Sequence, residues 1–236
     1  MITETAYIYP PRTETCLPRD QDSFLTGWLG QPKYNGTRCL IKITPQRIEL
    51  WSRHAEKIKN YTPTENVTEQ LHNLRTLYNL NNNHITIFDS ELLDSKHTAI
   101  KNTIAIFDIL VHNSQHLTGT TYSDRYNILI DPLDYNHDWM YTNPINPAAH
   151  PPQNFGIYIS DSIFVPRNWT QQQWPQLWEM VETVNRPYTD KTGNIKPVLE
   201  GIVYKDPHGV LKPGYKMKNN EDWQMKSRVA TARHKF

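Results

Sequence analysis

Cysteine is nearly missing from this chain: Cys16 and Cys39 are the two in 236 residues. Two thiols build no disulfide framework and match no metal-ligand spacing, which excludes a stapled secreted scaffold and a structural zinc module. The expectation is reduced thiols in a cytoplasmic protein. Long apolar runs are missing too. No stretch approaches the ~20 residues a spanning helix needs, so no membrane partner is expected. Residues 1–11 have neither the basic start nor the apolar centre of a secretion signal. A charge excess is the third absence: 25 Lys and Arg against 24 Asp and Glu leave +1. The whole-protein field will therefore not gather nucleic acid, and any phosphate binding needs a local patch. His112, His116, His137 and His150 show no ligand spacing and read as surface residues. There is no internal repeat and no low-complexity segment.

The length fits one large domain or two small ones and can bury a real core. Hydrophobic content is only 37%, but seven Trp and thirteen Tyr can fill that core and offer stacking faces. The chemistry begins at Gln31-Pro32-Lys33-Tyr34-Asn35-Gly36-Thr37-Arg38. The glycine allows a tight turn and close approach to a ligand. The arginine is a fixed-charge fork suited to phosphate. A lysine amine between them is a candidate nucleophile, because neighbouring cations or desolvation favour the neutral form that attacks.

Residues 1–30 read as an irregular lead-in strap with Pro10, Pro11 and Pro18. Residues 39–43 and 48–51 read as a hairpin that ends on Ser52-Arg53. Thr62-Pro63-Thr64-Glu65 resembles a capping box with proline at the first helical position, and Val67, Leu71, Leu74 and Tyr78 follow at helical spacing. Residues 85–93 and 104–111 are strands that carry Asp89, Glu91 and Asp108 inside apolar runs. Buried acids there need a partner, a hydrogen bond or a metal, and alternation puts Asp89 and Glu91 on one side. Residues 122–130 read as a short helix, 132–152 as a proline-rich loop and 155–159 as a strand. A helix over about 170–184 carries an apolar stripe that includes Trp174, Leu177 and Trp178. Residues 199–205 are a strand with Glu200 and Lys205 at its ends. Residues 215–218 are expected to return as a strand with Lys216 and Lys218 on one face. A basic tail with Lys226, Arg228, Arg233 and Lys235 follows, and it could touch a nucleic-acid backbone. The pattern argues for an α+β domain of antiparallel sheets flanked by helices.

The order of these motifs resembles the covalent nucleotidyltransferases: ATP-dependent DNA ligases, RNA ligases and mRNA capping enzymes. The lysine motif of that superfamily is similar to Lys33-Tyr34-Asn35-Gly36-Thr37-Arg38, and its acidic strand to Phe88-Asp89-Ser90-Glu91-Leu92. Its aromatic strand is similar to Ala105-Ile106-Phe107-Asp108, and its glutamate-glycine strand to Glu200-Gly201-Ile202-Val203-Tyr204-Lys205. The paired-lysine strand resembles Tyr215-Lys216-Met217-Lys218, although Lys226-Ser227-Arg228 offers the same spacing. Gln31-Pro32, Leu50-Trp51-Ser52-Arg53 and Lys205-Asp206-Pro207 lean toward the adenylation domain of DNA ligases. On that resemblance residues 1–30 lead in, 31–218 form the nucleotidyltransferase domain and 219–236 are the tail.

The resemblance implies an ATP-dependent polynucleotide ligase, monomeric, that seals 5′-phosphate/3′-hydroxyl nicks in duplex DNA through a lysyl-AMP intermediate. An RNA ligase is the alternative, then a capping guanylyltransferase, then a non-catalytic nucleotide-binding protein. Lys33 would be the nucleophile. Gln31 would read the adenine amino edge, Phe107 would stack on the ring and Glu91 would accept from the ribose. Arg38 would hold the sugar edge or the end phosphate, and Lys216 and Lys218 the α-phosphate. Arg53 would grip nucleic acid, and Glu200 would bind Mg²⁺. Three departures stand out: Asn35 where the family has aspartate, Ala55 where it has glycine, and no OB-fold domain after the paired lysines.

Overall fold

The computed structural model describes residues 7–13, 15–18, 23–93, 100–134, 156–185 and 197–229. The proline-rich loop expected over 132–152 and the end of the basic tail, with Arg233 and Lys235, lie outside the described residues apart from the first positions of the loop.

Two sheets share the chain. Strands β1 (Leu29–Tyr34), β9 (Leu199–Lys205) and β10 (Gln224–Arg228) form a three-stranded antiparallel sheet in the order β1-β9-β10. A seven-stranded sheet holds β2 (Thr37–Ile43), β3 (Ile48–Ser52), β4 (Thr86–Leu93), β5 (Thr103–His112), β6 (Gln115–His116), β7 (Gly156–Tyr158) and β8 (Ile163–Pro166). Its order is β3-β2-β4-β5-β8-β7, with β6 beside β5. The sheet is mixed, because β5 and β8 run parallel. Helix α2 (Tyr122–Asp134) lies in the crossover between them, as a parallel pair requires.

Each sheet has its own helical cover. Helix α1 (Glu65–Leu77) buries Val67, Leu71 and Leu74 against the large sheet. Its N-cap is Thr64, whose hydroxyl accepts from the Val67 N–H at 3.3 Å. Thr62 is therefore not the cap and Pro63 precedes the helix, because the Thr64 oxygen reaches the free amide three residues on. Helix α3 (Trp174–Val184) packs Trp174, Leu177, Trp178 and Val181 against β1 and β9. A 3₁₀ turn, Gln171–Gln173, leads into it, and the Gln173 side chain accepts from the Thr170 N–H at 3.0 Å. Cys39 is buried in the core of the large sheet and Cys16 is exposed; both are free.

The strand expected over 215–218 does not form. After a turn at 206–209, the chain crosses to the large-sheet side, where Leu211 exchanges backbone hydrogen bonds with Gly119 and Thr120. It returns only at β10, which starts from Trp223, a ring buried against Tyr122 and Arg125. Tyr215 and Met217, the alternates of the earlier segment, are 84% and 48% exposed and give it no apolar anchor. Part of the expected tail is thus a sheet strand.

Where β10 meets β9, Gly201 has φ +147°, and a Cβ there would run into the Ser227 carbonyl. Gly27 also has positive φ, +79°, but open space around it. Gly201→Ala should cost roughly 2 kcal/mol or more, and Gly27→Ala about 1 kcal/mol. Urea unfolding of both variants measures this; equal losses would mean that β10 does not press on Gly201.

Candidate active site

The chain leaves the small sheet at Tyr34 and enters the large one at Thr37. Only Asn35 and Gly36 lie between, so Lys33 and Arg38 end up on facing walls of one cleft. Asn35 pins the turn: its N–H donates to the Val198 carbonyl and its side-chain amide to the Pro197 carbonyl, both at 2.9 Å. An aspartate could not make the second bond, which gives the departure at 35 a local reason. The Gly36 N–H donates to Glu91 Oε1 at 3.1 Å, and a Cβ on Gly36 would collide with the Leu92 carbonyl.

The cleft, about 470 Å³, is lined by Gln31, Lys33, Arg38, Arg53, Glu91, Phe107 and Glu200, all expected from the sequence. It is also lined by Arg12, Lys205, Lys226 and Arg228. Lys216 and Lys218 do not line it; both are exposed in the loop before β10. The pair with the right spacing at the cleft is Lys226 and Arg228, because the strand that pairs with β9 is β10. Seven basic side chains thus face the cleft with two carboxylates, in a chain whose net charge is +1. That is a local positive field, of the kind the near-neutral chain would need to attract phosphate.

Lys33 Nζ is ion-paired with Glu200 Oε1, and Arg228 Nε lies 3.6 Å from Glu200 Oε2. Strict alternation would put Glu200 with Ile202 and Tyr204, under α3. The pairing of β1 with β9 instead shifts between Lys33 and Tyr34, opposite Glu200 and the unusual Gly201, and the carboxylate turns into the cleft. Burial pushes the Glu91 carboxyl up to about 7, against the pull of Lys33 and Arg38. Burial likewise pushes Lys226 down, helped by Arg228 and Lys33. Gln31 is buried and its Nε2 donates to the Pro166 carbonyl at 3.3 Å, which leaves its amide oxygen to accept from an amino group.

Asp89 is fully buried and holds Arg38 in a bidentate ion pair. Its cross-strand neighbour Asp108 is held by Arg125, Nε to Oδ1 at 2.8 Å and Nη2 to Oδ2 at 3.1 Å. The expected sharing of one cleft by two acids is therefore split: Glu91 lines it, and Asp89 lies behind it orienting Arg38. Lys205, whose role the motif left unassigned, sits among these groups. Its Nζ donates to the Phe107 carbonyl at 3.1 Å and lies 5.1 Å from the Phe107 ring centroid. Arg38 approaches the same ring at 5.3 Å. Two cations thus fix the aromatic face.

At the mouth, Ser52, Arg53 and His54 form a turn closed by Ala55, whose φ is +63°. Glycine at this position in the resembling family now has a reason, since alanine adopts that conformation at a cost of about 1 kcal/mol. Arg53 is exposed, bonded only to its neighbour His54 at 3.1 Å among the described residues.

No protein-family profile and no curated protein sequence matches the chain. Solved structures do. Those named Pmar-Lig_PreS3 and Pmar-Lig_Pre both superpose with a TM-score of 0.56, at 12% and 13% identity, over 94% of this chain and 47% of each of theirs. An ATP-dependent DNA ligase from bacteriophage T7 in complex with ATP matches with a TM-score of 0.49 at 15% identity, over 92% of this chain and 68% of that one. The chain spans about half the length of the first two. The likeness to the first two shows the fold alone: the chain shares their α+β architecture over 94% of its length. What the site does has to come from its own residues.

Lys205 is 2% exposed, and burial pushes its pKa from 10.5 down to about 7, against Asp108 and Asp89. Between those values the unfolded chain holds the extra proton. Its contribution to stability therefore rises with pH from about 7 toward 10.5, and the full penalty of the buried charge is present below 7. Urea unfolding at pH 6.5, 8 and 9.5 should show wild type gaining on Lys205→Met by up to about 1.4 kcal/mol per pH unit. A constant gap would mean that Lys205 titrates like a free lysine.

Proposed function

We propose that this chain is an ATP-dependent polynucleotide ligase, acting as a monomer, that seals 5′-phosphate/3′-hydroxyl nicks in duplex DNA. The observation that carries the reading is Lys33 held by Glu200 at the junction of two sheets, in a cleft with Glu91, Phe107, Lys226 and Arg228. The nucleotidyltransferase unit runs from β1 through β10.

In the first step Lys33 Nζ attacks the α-phosphorus of ATP. A P–N bond forms, the bond to the bridging oxygen breaks, and pyrophosphate leaves. The ammonium proton has an acceptor beside it in Glu200 Oε1. AMP then passes to a 5′-phosphate, and the neighbouring 3′-hydroxyl displaces it. Each step is an in-line displacement at phosphorus, so the protein mainly positions groups and neutralises charge. Lys226 and Arg228 hold the α-phosphate, in place of Lys216 and Lys218. Glu91 accepts from the ribose, Gln31 accepts from the adenine amino group, and Phe107 stacks on the base. Arg38, already bidentate to Asp89, presents its remaining face to the sugar or the end phosphate. Arg53 at the mouth meets the nucleic acid.

Mg²⁺ fits with Glu200 as its one protein carboxylate. Among the described residues no three His, Cys, Asp or Glu side chains come together, and this ion keeps water and phosphate oxygens as its other ligands. When bound it would neutralise phosphate charge. No helix among the described residues is long and apolar enough to cross a membrane.

Denaturing gels after incubation with α-labelled ATP and Mg²⁺ test the chemistry. Wild type should carry label and Lys33→Ala none. Lys226→Ala should slow labelling at least about a hundredfold, as loss of a charge-stabilising donor does. Lys216→Ala and Lys218→Ala should label as wild type. Label from GTP alone would point to capping, and sealing of nicked RNA but not nicked DNA would make it an RNA ligase.

A further inference from the structure

The N-terminal strap is built into the small sheet. The Tyr9 N–H donates to the Gly214 carbonyl at 2.9 Å and the Arg12 N–H to the Asn219 carbonyl at 2.7 Å, while the Glu221 N–H donates to the Arg12 carbonyl at 3.1 Å. Further along, Lys226 donates to the Thr15 carbonyl at 3.0 Å and accepts from Leu17 at 2.8 Å. Arg12 and Cys16 form parallel bridges with Asn220 and Lys226. The strap thus lies along the outer side of β10, and both backbone groups of Arg12 are fixed.

Its neighbours fix two cleft cations in turn. Arg38 Nη2 donates to the Pro11 carbonyl at 2.8 Å, and Lys226 Nζ to the Thr13 carbonyl at 2.9 Å. The residue between those carbonyls, Arg12, lines the cleft. The other cations deep in the cleft have protein partners: Glu200 accepts from Lys33 and lies 3.6 Å from Arg228 Nε as an ion pair, Asp89 holds Arg38, and the Phe107 and Thr13 carbonyls accept from Lys205 and Lys226. Among the described residues nothing accepts from the Arg12 guanidinium. A half-buried fork of five donors at the edge of a cationic cleft is suited to an anion with several acceptor oxygens.

We infer that Arg12 is a phosphate-binding residue of this cleft, supplied by the strap from outside the two sheets. Its ligand is a phosphate next to the one that Lys33 attacks. In the first step that is the β,γ-diphosphate that leaves; in the second it is the 5′-phosphate of the acceptor. The α-phosphate itself belongs to Lys33, Lys226 and Arg228. This inference rests on the proposed function for the identity of the phosphates, but not for the existence of the site.

Three measurements on wild type, Arg12→Ala and Arg12→Lys test it, with thermal melting to confirm folding. The first is calorimetric binding of inorganic pyrophosphate to the unmodified protein, which needs no catalysis. Wild type should bind about tenfold or more tighter than Arg12→Ala, as for a lost charge-assisted hydrogen bond, and Arg12→Lys should fall between. The second is pyrophosphate-driven release of AMP from the labelled enzyme, in which Arg12→Ala should raise the KM for pyrophosphate by a similar factor. The third is single-turnover transfer from the labelled enzyme to a 5′-phosphorylated nick. A defect in the first two arms assigns Arg12 to the nucleotide phosphates, and a defect confined to the third assigns it to the acceptor phosphate. Equal behaviour of folded Arg12→Ala and wild type in all three overturns the site and leaves the proposed function intact. Arg12-dependent pyrophosphate binding in a wild type that forms no lysyl-AMP overturns the proposed function and leaves the site.

Discussion

Everything at this cleft depends on a two-residue passage between sheets. Lys33 sits one residue before the end of β1 and Arg38 one residue after the start of β2, so the proposed nucleophile and its facing cation cannot drift apart without unpairing a strand. Gly36 is required because the turn presses on β4 at Leu92, and its N–H is the donor that holds the Glu91 carboxylate. Asn35 ties the same turn back to residues 197 and 198, immediately before β9. One short turn therefore touches the strands that carry Glu91 and Glu200, and the relative position of three charged groups follows from it.

Behind the cleft wall lies a layer of buried charges, reached from the cleft through Arg38 and Lys205. Asp89 and Asp108 face each other across β4 and β5, and burying two carboxylates side by side requires cations on both. Arg38, Arg125 and Lys205 supply them. Arg125 is fully buried and structural. Arg38 and Lys205 do two jobs, because each neutralises the acids and also approaches Phe107, the ring expected to carry the base. The orientation of that ring is thus coupled to the charge state of the buried network, and a carboxylate-to-amide change at Asp89 or Asp108 would disturb stacking as well as stability.

Most of the cleft was legible because its chemistry-bearing residues sit on or beside strands in a fixed order, and strands with β-branched runs announce themselves. Lys33, Gln31, Arg38, Glu91, Phe107, Glu200 and Arg53 could be read that way. Lys216 and Lys218 misled because alternation of two lysines is satisfied equally by a loop. What separates it from β10 is the anchoring of Trp223 and the absence of a Cβ at Gly201, which lets the Ser227 carbonyl approach, both tertiary facts. Lys205 was seen, but its burial among acids depends on the pairing of β4 with β5. The cap of α1 moved by two residues because Thr62 and Thr64 both qualify locally, and only the hydrogen bond to Val67 separates them. Arg12 carried no signal at all: an arginine after two prolines in an irregular segment looks like surface until its backbone is found bonded to Asn219 and Glu221.

The strap also alters how the charge of the cleft should be understood. Seven basic side chains in one cleft would repel one another if each were independent. Five are neutralised or held by protein acceptors, two of which are the strap's own carbonyls at Pro11 and Thr13. The strap therefore lowers the cost of crowding Arg38 and Lys226 near Lys33, and at the same place adds a guanidinium that raises the positive field of the cleft. A carbonyl is a weak partner that a phosphate can outcompete, whereas Asp89 holds Arg38 with a full charge. Lys226 is thus the more weakly held of the two cations, and Arg38 the one fixed by an opposite charge.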